Sequence, residues 1–170
     1  MVSERTGGGA ARAAAETVAD PELPMLTLAD LGVLREVTEA GGTVTVSITP
    51  TYTGCPAMDA MRADLVHALH LAGFRDVEVR TVFQPAWSTD WITADGRRKL
   101  AEAGIAPPRA APRPSAGPVP LTLGPPPHPV RCPQCGSAQT QLVSYFGATA
   151  CRSLHRCETC REPFEHVKEI

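Results

Sequence analysis

Four of the six cysteines fall into two CxxC pairs, Cys132/Cys135 and Cys157/Cys160, with 21 residues between the pairs. A CxxC lets two thiolates of one tight turn reach one metal ion. Two such turns close a tetrahedral four-sulfur site, the usual geometry of structural zinc, with no position left for a catalytic water. The expected chemistry is therefore metal-dependent folding, because about 40 residues bury too little apolar surface to fold unaided. A redox dithiol pair would need a surrounding βαβ pattern, which the flanking sequence lacks. Spacing alone does not separate zinc from a rubredoxin-like iron or [2Fe–2S] site. Cys151 and His155 are left over. Each is either a ligand in a rearranged site or, the plainer reading, a small buried hydrophobe (Cys151) and an exposed ribbon residue (His155).

One further cysteine, Cys55, stands in the string TPTYTGCPAM at 49–58, where the chain leaves a strand and enters a helix. Free amides and the positive end of a helix favour thiolate at such a place. Gly54 permits close backbone approach, and Thr51, Tyr52 and Thr53 offer hydroxyl donors around the sulfur. Three readings stay open for Cys55: a metal or cluster ligand, a nucleophile, and a small residue capping a turn. A nucleophile needs a general base, and no His is adjacent. His67 and His70 are three apart, not the four of a helical zinc pair, and read as a solvated face. The chain has no phosphate-binding glycine loop and no evident triad. Asp20-Pro21-Glu22 could bind a cation, but as a bare motif it is ordinary turn chemistry.

The elements that must position these residues can be read from periodicity. Strand-like runs at 33–39 and 43–49 are joined by Gly41-Gly42, a hairpin signal. Val44, Val46 and Ile48 alternate with polar residues, which gives the second run one apolar face. Met58, Met61, Leu65, Leu69 and Ala72 form one helical stripe, with Pro56 before it and Gly73 suited to end it. A third strand is expected at 76–83 and a last helix at 93–103, and 26–31 reads as a helical turn. The fold class is α+β: a small two-layer β-β-α-β domain with a mixed sheet and helices on one face. A right-handed crossover makes the second and third strands parallel. Ten of the 17 prolines lie in 106–130, so that stretch reads as an extended spacer. Strands at 139–146 and 150–154 would bring the two knuckles together as a β zinc ribbon. The expected organisation is a flexible tail at 1–15, the α+β domain at 16–105, a proline-rich linker at 106–130 and the ribbon at 131–170.

Composition excludes several classes. With 16 Lys+Arg against 18 Asp+Glu and 8 aromatic residues, a nucleic-acid partner is disfavoured. Residues 131–170 carry five basic and four acidic side chains, a net charge of +1, which is no phosphate-binding patch. No apolar run approaches the length of a membrane span, and the first 20 residues do not form a secretory signal, so a cytoplasmic protein is expected.

Several strings together resemble a known family. DPELPMLTLADLG at 20–32 and TPTYTGCPAM at 49–58 are similar to the two signature segments of the iron–sulfur assembly domain of SufT-type proteins. QPAWSTDW at 84–91, GIAPP at 104–108 and FGATAC at 146–151 narrow the resemblance to the PaaD (PaaJ) family, encoded with the phenylacetyl-CoA 1,2-epoxidase complex. The resemblance leaves 1–15 unmatched, and the linker is longer and richer in proline than that family leads one to expect.

The resemblance implies an accessory role in bacterial aerobic phenylacetate catabolism, not an enzyme. The partners it implies are the oxygenase reductase, which carries flavin and a [2Fe–2S] cluster, and the other epoxidase components. It implies that Cys55 handles iron or a cluster transiently, with Asp20 and Glu22 as the acidic signature near it. It also implies that Cys132, Cys135, Cys157 and Cys160 hold structural zinc. A homodimer could place two Cys55 thiolates on one cluster. The alternative is a non-catalytic structural or regulatory subunit of the oxygenase complex.

Overall fold

The structure is a computed structural model and describes residues 7–52, 54–110 and 130–170. It opens with a helix, α1 (Gly7–Glu16), in which Ala11 and Ala15 are fully buried, followed by buried Val18. This corrects the expectation of a flexible tail over 1–15 for all but residues 1–6, which lie outside the described residues. Alanine gives almost no hydropathy contrast, so the stripe at 11, 15 and 18 is faint in sequence. Its small side chain nevertheless favours helix and lets α1 approach the sheet closely.

β1 (Leu34–Ala40) and β2 (Thr43–Ile48) form an antiparallel hairpin closed by Ala40 opposite Thr43. Gly41 and Gly42 have φ of 59° and 86°, the pair of positive values that a tight hairpin turn needs. β3 (Asp76–Thr81) pairs parallel to β2 with Val46 opposite Val79, and the sheet order is β1-β2-β3. The crossover is α2 (Met58–Leu71), which buries Met61, Leu65 and Leu69. It ends where Gly73 and Phe74 donate to the carbonyls of His70 and Leu69, a Schellman cap that uses Gly73 at φ 95°. Val44, Val46 and Ile48 are fully buried while Thr43, Thr45 and Ser47 are half-buried, so the alternation read from sequence is the alternation in space.

The chain divides into two compact units, Met1–Lys99 and Leu100–Ile170, with the division falling inside α3 (Ala94–Glu102). The second unit holds one antiparallel sheet of β4 (Thr140–Ser144), β5 (Arg152–Cys157) and β6 (Pro163–Val167), in the order β4-β5-β6. The strand β6 has no counterpart in the sequence reading, because Pro163, Phe164, Glu165, His166 and Val167 mix apolar and charged types. Ala106, expected to open the spacer, belongs to this unit. It is buried, its N–H donates to Glu165 O at 2.8 Å, and its carbonyl accepts from Val167 N at 3.1 Å. Most of the expected spacer, residues 111–129, lies outside the described residues. Among the described residues no helix is long and apolar enough to cross a membrane.

Candidate metal centre and the Cys55 loop

The two CxxC turns have the same backbone design. In the first, Cys132 N–H donates to Ser137 O at 2.9 Å and Gly136 N–H to Cys132 O at 2.9 Å. In the second, Cys157 N–H donates to Glu162 O and Arg161 N–H to Cys157 O, both at 3.0 Å. The left-handed position after the second cysteine is Gly136 at φ 73° in one knuckle and Arg161 at φ 69° in the other. Each turn aims two sulfurs inward, and β4 and β5 bring the turns face to face. The four Sγ atoms then lie within 4.8 Å of one another.

Across the knuckles, Cys132 and Cys160 are 3.7 Å apart and Cys135 and Cys157 are 3.6 Å apart. Four sulfurs at ~2.3 Å from a central ion would be separated by ~3.8 Å. The observed gaps match that tetrahedron and are far from the ~2.0 Å of a disulfide. A donor set of four thiols fits structural zinc, which would complete a very small core: Ala106, Cys132, Cys157 and Phe164, flanked by Val130 and Cys160.

The thiols are unequal. The Cys160 backbone N–H, 3.5 Å from the sulfur, leads the groups that pull Cys157 down to about 6. The backbone N–H of Glu162 lowers Cys160, but burial and the neighbouring sulfurs outweigh it and push that thiol up to about 12. The cluster thus already favours one thiolate, the form a metal takes.

Cys151 and His155 stand outside the four-sulfur group. Cys151 is half-buried, with its sulfur 3.1 Å from Thr149 Oγ1. His155, expected to be exposed, is buried: its ring stacks on Phe164 at 5.6 Å and its Nε2 lies 3.0 Å from Ser153 Oγ. The unforeseen strand β6 covers it. The same strand buries His166, whose Nδ1 is 3.4 Å from Ser153 Oγ. Burial lowers both imidazoles, His166 to about 4.

In the first unit, Cys55 sits between the end of β2 and the start of α2. Gly54 before it has φ 87°, and Cys55 O accepts from Met58 N at 3.4 Å. The helix N-cap is Ala57, whose side chain makes no cap bond, so Cys55 precedes the cap by two residues. Cys55 is half-buried and is in no disulfide. Thr53 lies outside the described residues.

Asp20 is buried, and its Oδ1 accepts from Glu22 N at 2.9 Å and Leu23 N at 2.8 Å. With Asp20 N donating to Leu26 O and Leu28 N to Val18 O, this folds 18–28 back on itself. The carboxylate is thus engaged in a turn. Glu22 is half-buried. Among the described residues, Asp20, Glu22 and Cys55 do not converge as a three-ligand group. His67 and His70 are exposed on α2, as the helical stripe requires.

Sequence reasoning missed the clamp that fixes the segment after Asp20. Thr27 N donates to Asp30 Oδ2 and Asp30 N to Thr27 Oγ1, both at 3.0 Å, a reciprocal capping box. The spacing Thr27-x-x-Asp30 was the available signal. Lys99 Nζ reaches Asp30 Oδ2 at 2.8 Å. Burial raises the Asp30 carboxyl, but the Lys99 hydrogen bond and the Thr27 amide outweigh it and hold it below the usual range. Trp87 Nε1 donates to Leu31 O at 2.9 Å, and Arg35 lies 3.6 Å over the Trp91 ring. The two tryptophans of QPAWSTDW thus secure the loop and the strand that follow Asp20.

Residues 116–168 match the PaaD zinc beta ribbon domain, and residues 10–81 match the description "Iron-sulfur cluster assembly protein". Over 153 residues the chain is 45% identical to an Escherichia coli K12 protein named as one of the subunits of 1,2-phenylacetyl-CoA epoxidase, covering 90% of this chain and 87% of that protein. The chain belongs to the PaaD family. It is also 34% identical over 86 residues to a Porphyromonas gingivalis W83 "Fe-S protein maturation auxiliary factor", covering 49% of this chain and 81% of the relative. The crystal structure of a Domain of Unknown Function DUF59 from Bacillus anthracis matches with a TM-score of 0.51 at 26% identity, covering 55% of this chain and 90% of that one. This chain thus joins an iron–sulfur assembly domain to a zinc ribbon. The match bears out the family expected from the strings at 20–32, 49–58 and 146–151, the α+β fold read from periodicity and the ribbon read from the CxxC pairs.

Proposed function

We propose that this chain is a non-catalytic maturation factor of the phenylacetyl-CoA epoxidase system, one that helps place iron or an iron–sulfur cluster in the oxygenase reductase. The observation that carries the reading is the union in one chain of an iron–sulfur assembly domain with the PaaD zinc ribbon. Cys55 is the cargo thiol in this reading. It lies on an accessible turn ahead of α2, next to a glycine that leaves the backbone open, with nothing within 4 Å of a Cβ placed at Gly54. A single thiolate suits transient handling, because a tight cluster site needs several thiolates. Asp20, which closes its own turn on the Glu22 and Leu23 amides, Glu22 and Thr53 are the other residues of the candidate group.

Cys132, Cys135, Cys157 and Cys160 hold zinc and make the ribbon a rigid module for contact with the reductase or another epoxidase component. The test is the cluster occupancy of the reductase expressed with this chain, without it, and with Cys55→Ser. Occupancy that falls without the chain and is not restored by Cys55→Ser supports the reading. Full occupancy in all three makes the chain a structural or regulatory component of the complex instead.

A further inference from the structure

We propose that the free edge of β3 joins two copies of this chain into one continuous sheet. In the order β1-β2-β3, β3 is hydrogen-bonded on one side only among the described residues. Val82 N donates to Ile48 O at 2.9 Å, which sets the parity: even-numbered amides of this segment face β2. The N–H and C=O groups of Val77, Val79 and Thr81 therefore point away from the sheet, a ready template for another strand.

The side chains select the partner. An antiparallel pairing with its two-fold axis at Val79 sets Val79 against Val79 of the second copy, Val77 against Thr81, and Glu78 against Arg80. The outward-facing odd residues become the hydrogen-bonded pairs. Glu78 and Arg80 become the closer, non-hydrogen-bonded pairs, and the symmetry makes two of them. Moving the axis to residue 80 sets Arg80 against Arg80, and moving it to residue 78 sets Glu78 against Glu78 while Asp76 meets Arg80. An axis at 77 sets Glu78 against Asp76. Of these four registers, the axis at Val79 is the one that opposes no like charges.

Each chain already pairs Arg80 with Glu78, at 2.7 Å, but both side chains are more than half exposed, so exchanging that partner for one across the axis costs little. On the opposite face, Arg62 of α2 bonds Thr81 Oγ1, which places α2 over the odd-numbered residues. Val77 and Val79 are only half-buried there, and a second copy would cover them.

The other edge does not offer the same template. β1 has a register irregularity between Leu34 and Glu36, directly before the paired stretch Glu36–Ala40. Bulges of this kind are one way edge strands avoid pairing.

The experiment is light scattering and sedimentation of the full, zinc-loaded chain, wild type against Glu78→Arg, Arg80→Glu and the double exchange. The wild type is expected to be a dimer. Each single variant opposes like charges twice and should weaken association about tenfold or more. The double exchange should restore it, and tryptophan emission checks that every variant is folded. A monomeric wild type, a dimer indifferent to both single changes, or a double variant as weak as the singles overturns the proposal.

Discussion

Replacing Gly32 with alanine tests how the segment that follows Asp20 is held. Gly32 has φ 70°, and a Cβ there would lie 2.5 Å from Trp91 Cβ, 2.7 Å from Trp91 O and 3.0 Å from Trp91 C. The left-handed conformation costs an L-residue about 1–2 kcal/mol. The clash adds about 1–3 kcal/mol, because two of the three atoms met are backbone and cannot swing away. The expected loss is about 3 kcal/mol.

Gly41→Ala is the matched control. Its φ is 59°, but nothing lies within 4 Å of the added carbon, so only the conformational cost of about 1 kcal/mol applies. Urea unfolding followed by tryptophan fluorescence reads this unit selectively, because the chain's two tryptophans, Trp87 and Trp91, both belong to it. The difference of about 2 kcal/mol should appear as a midpoint about 1–2 M lower for Gly32→Ala than for Gly41→Ala. Equal midpoints would refute the close approach of the Gly32 backbone to Trp91, and with it the clamp.

Stripping the metal with a chelator at neutral pH should collapse the amide NMR signals of 130–167 and leave the tryptophan emission of the first unit unchanged. The ribbon core is four buried residues, two of them cysteines of the cluster, and structural zinc contributes about 10–16 kcal/mol in such modules. A ribbon that keeps its dispersed signals without metal would contradict this account. The ribbon should also lose stability as pH falls below 6.5. Burial depresses His166 to about 4 against the attraction of Glu169, while His155 and Arg109 add to the depression. The unfolded chain therefore binds the proton first, and the stability present above 6.5 is lost as pH falls toward 4. Between pH 7 and 5.5, wild type should lose about 1 kcal/mol more than His166→Gln in matched unfolding experiments. Equal losses would remove His166 from the account.

Local rules were enough for much of the molecule. The Gly41-Gly42 hairpin, the stripe of α2, its Gly73 cap and the alternation of β2 depend on neighbours within a few residues, so the order of types along the chain determines them. The CxxC pairs were legible for the same reason: each knuckle is a local turn, and the tetrahedral demand of a metal supplies the one long-range constraint. Tertiary structure decided the rest. Ala11 and Ala15 gain their burial from the sheet that α1 meets, not from any hydropathy of their own. The strand β6 forms because β5 offers it a partner, and that pairing turns His155 and His166 from surface residues into buried, neutral ones. The acidic signature shows the boundary most clearly. Its sequence allows a cation site or an ordinary turn, and which of them Asp20 serves depends on the backbone amides the fold presents to it; here two, from Glu22 and Leu23, donate to Oδ1.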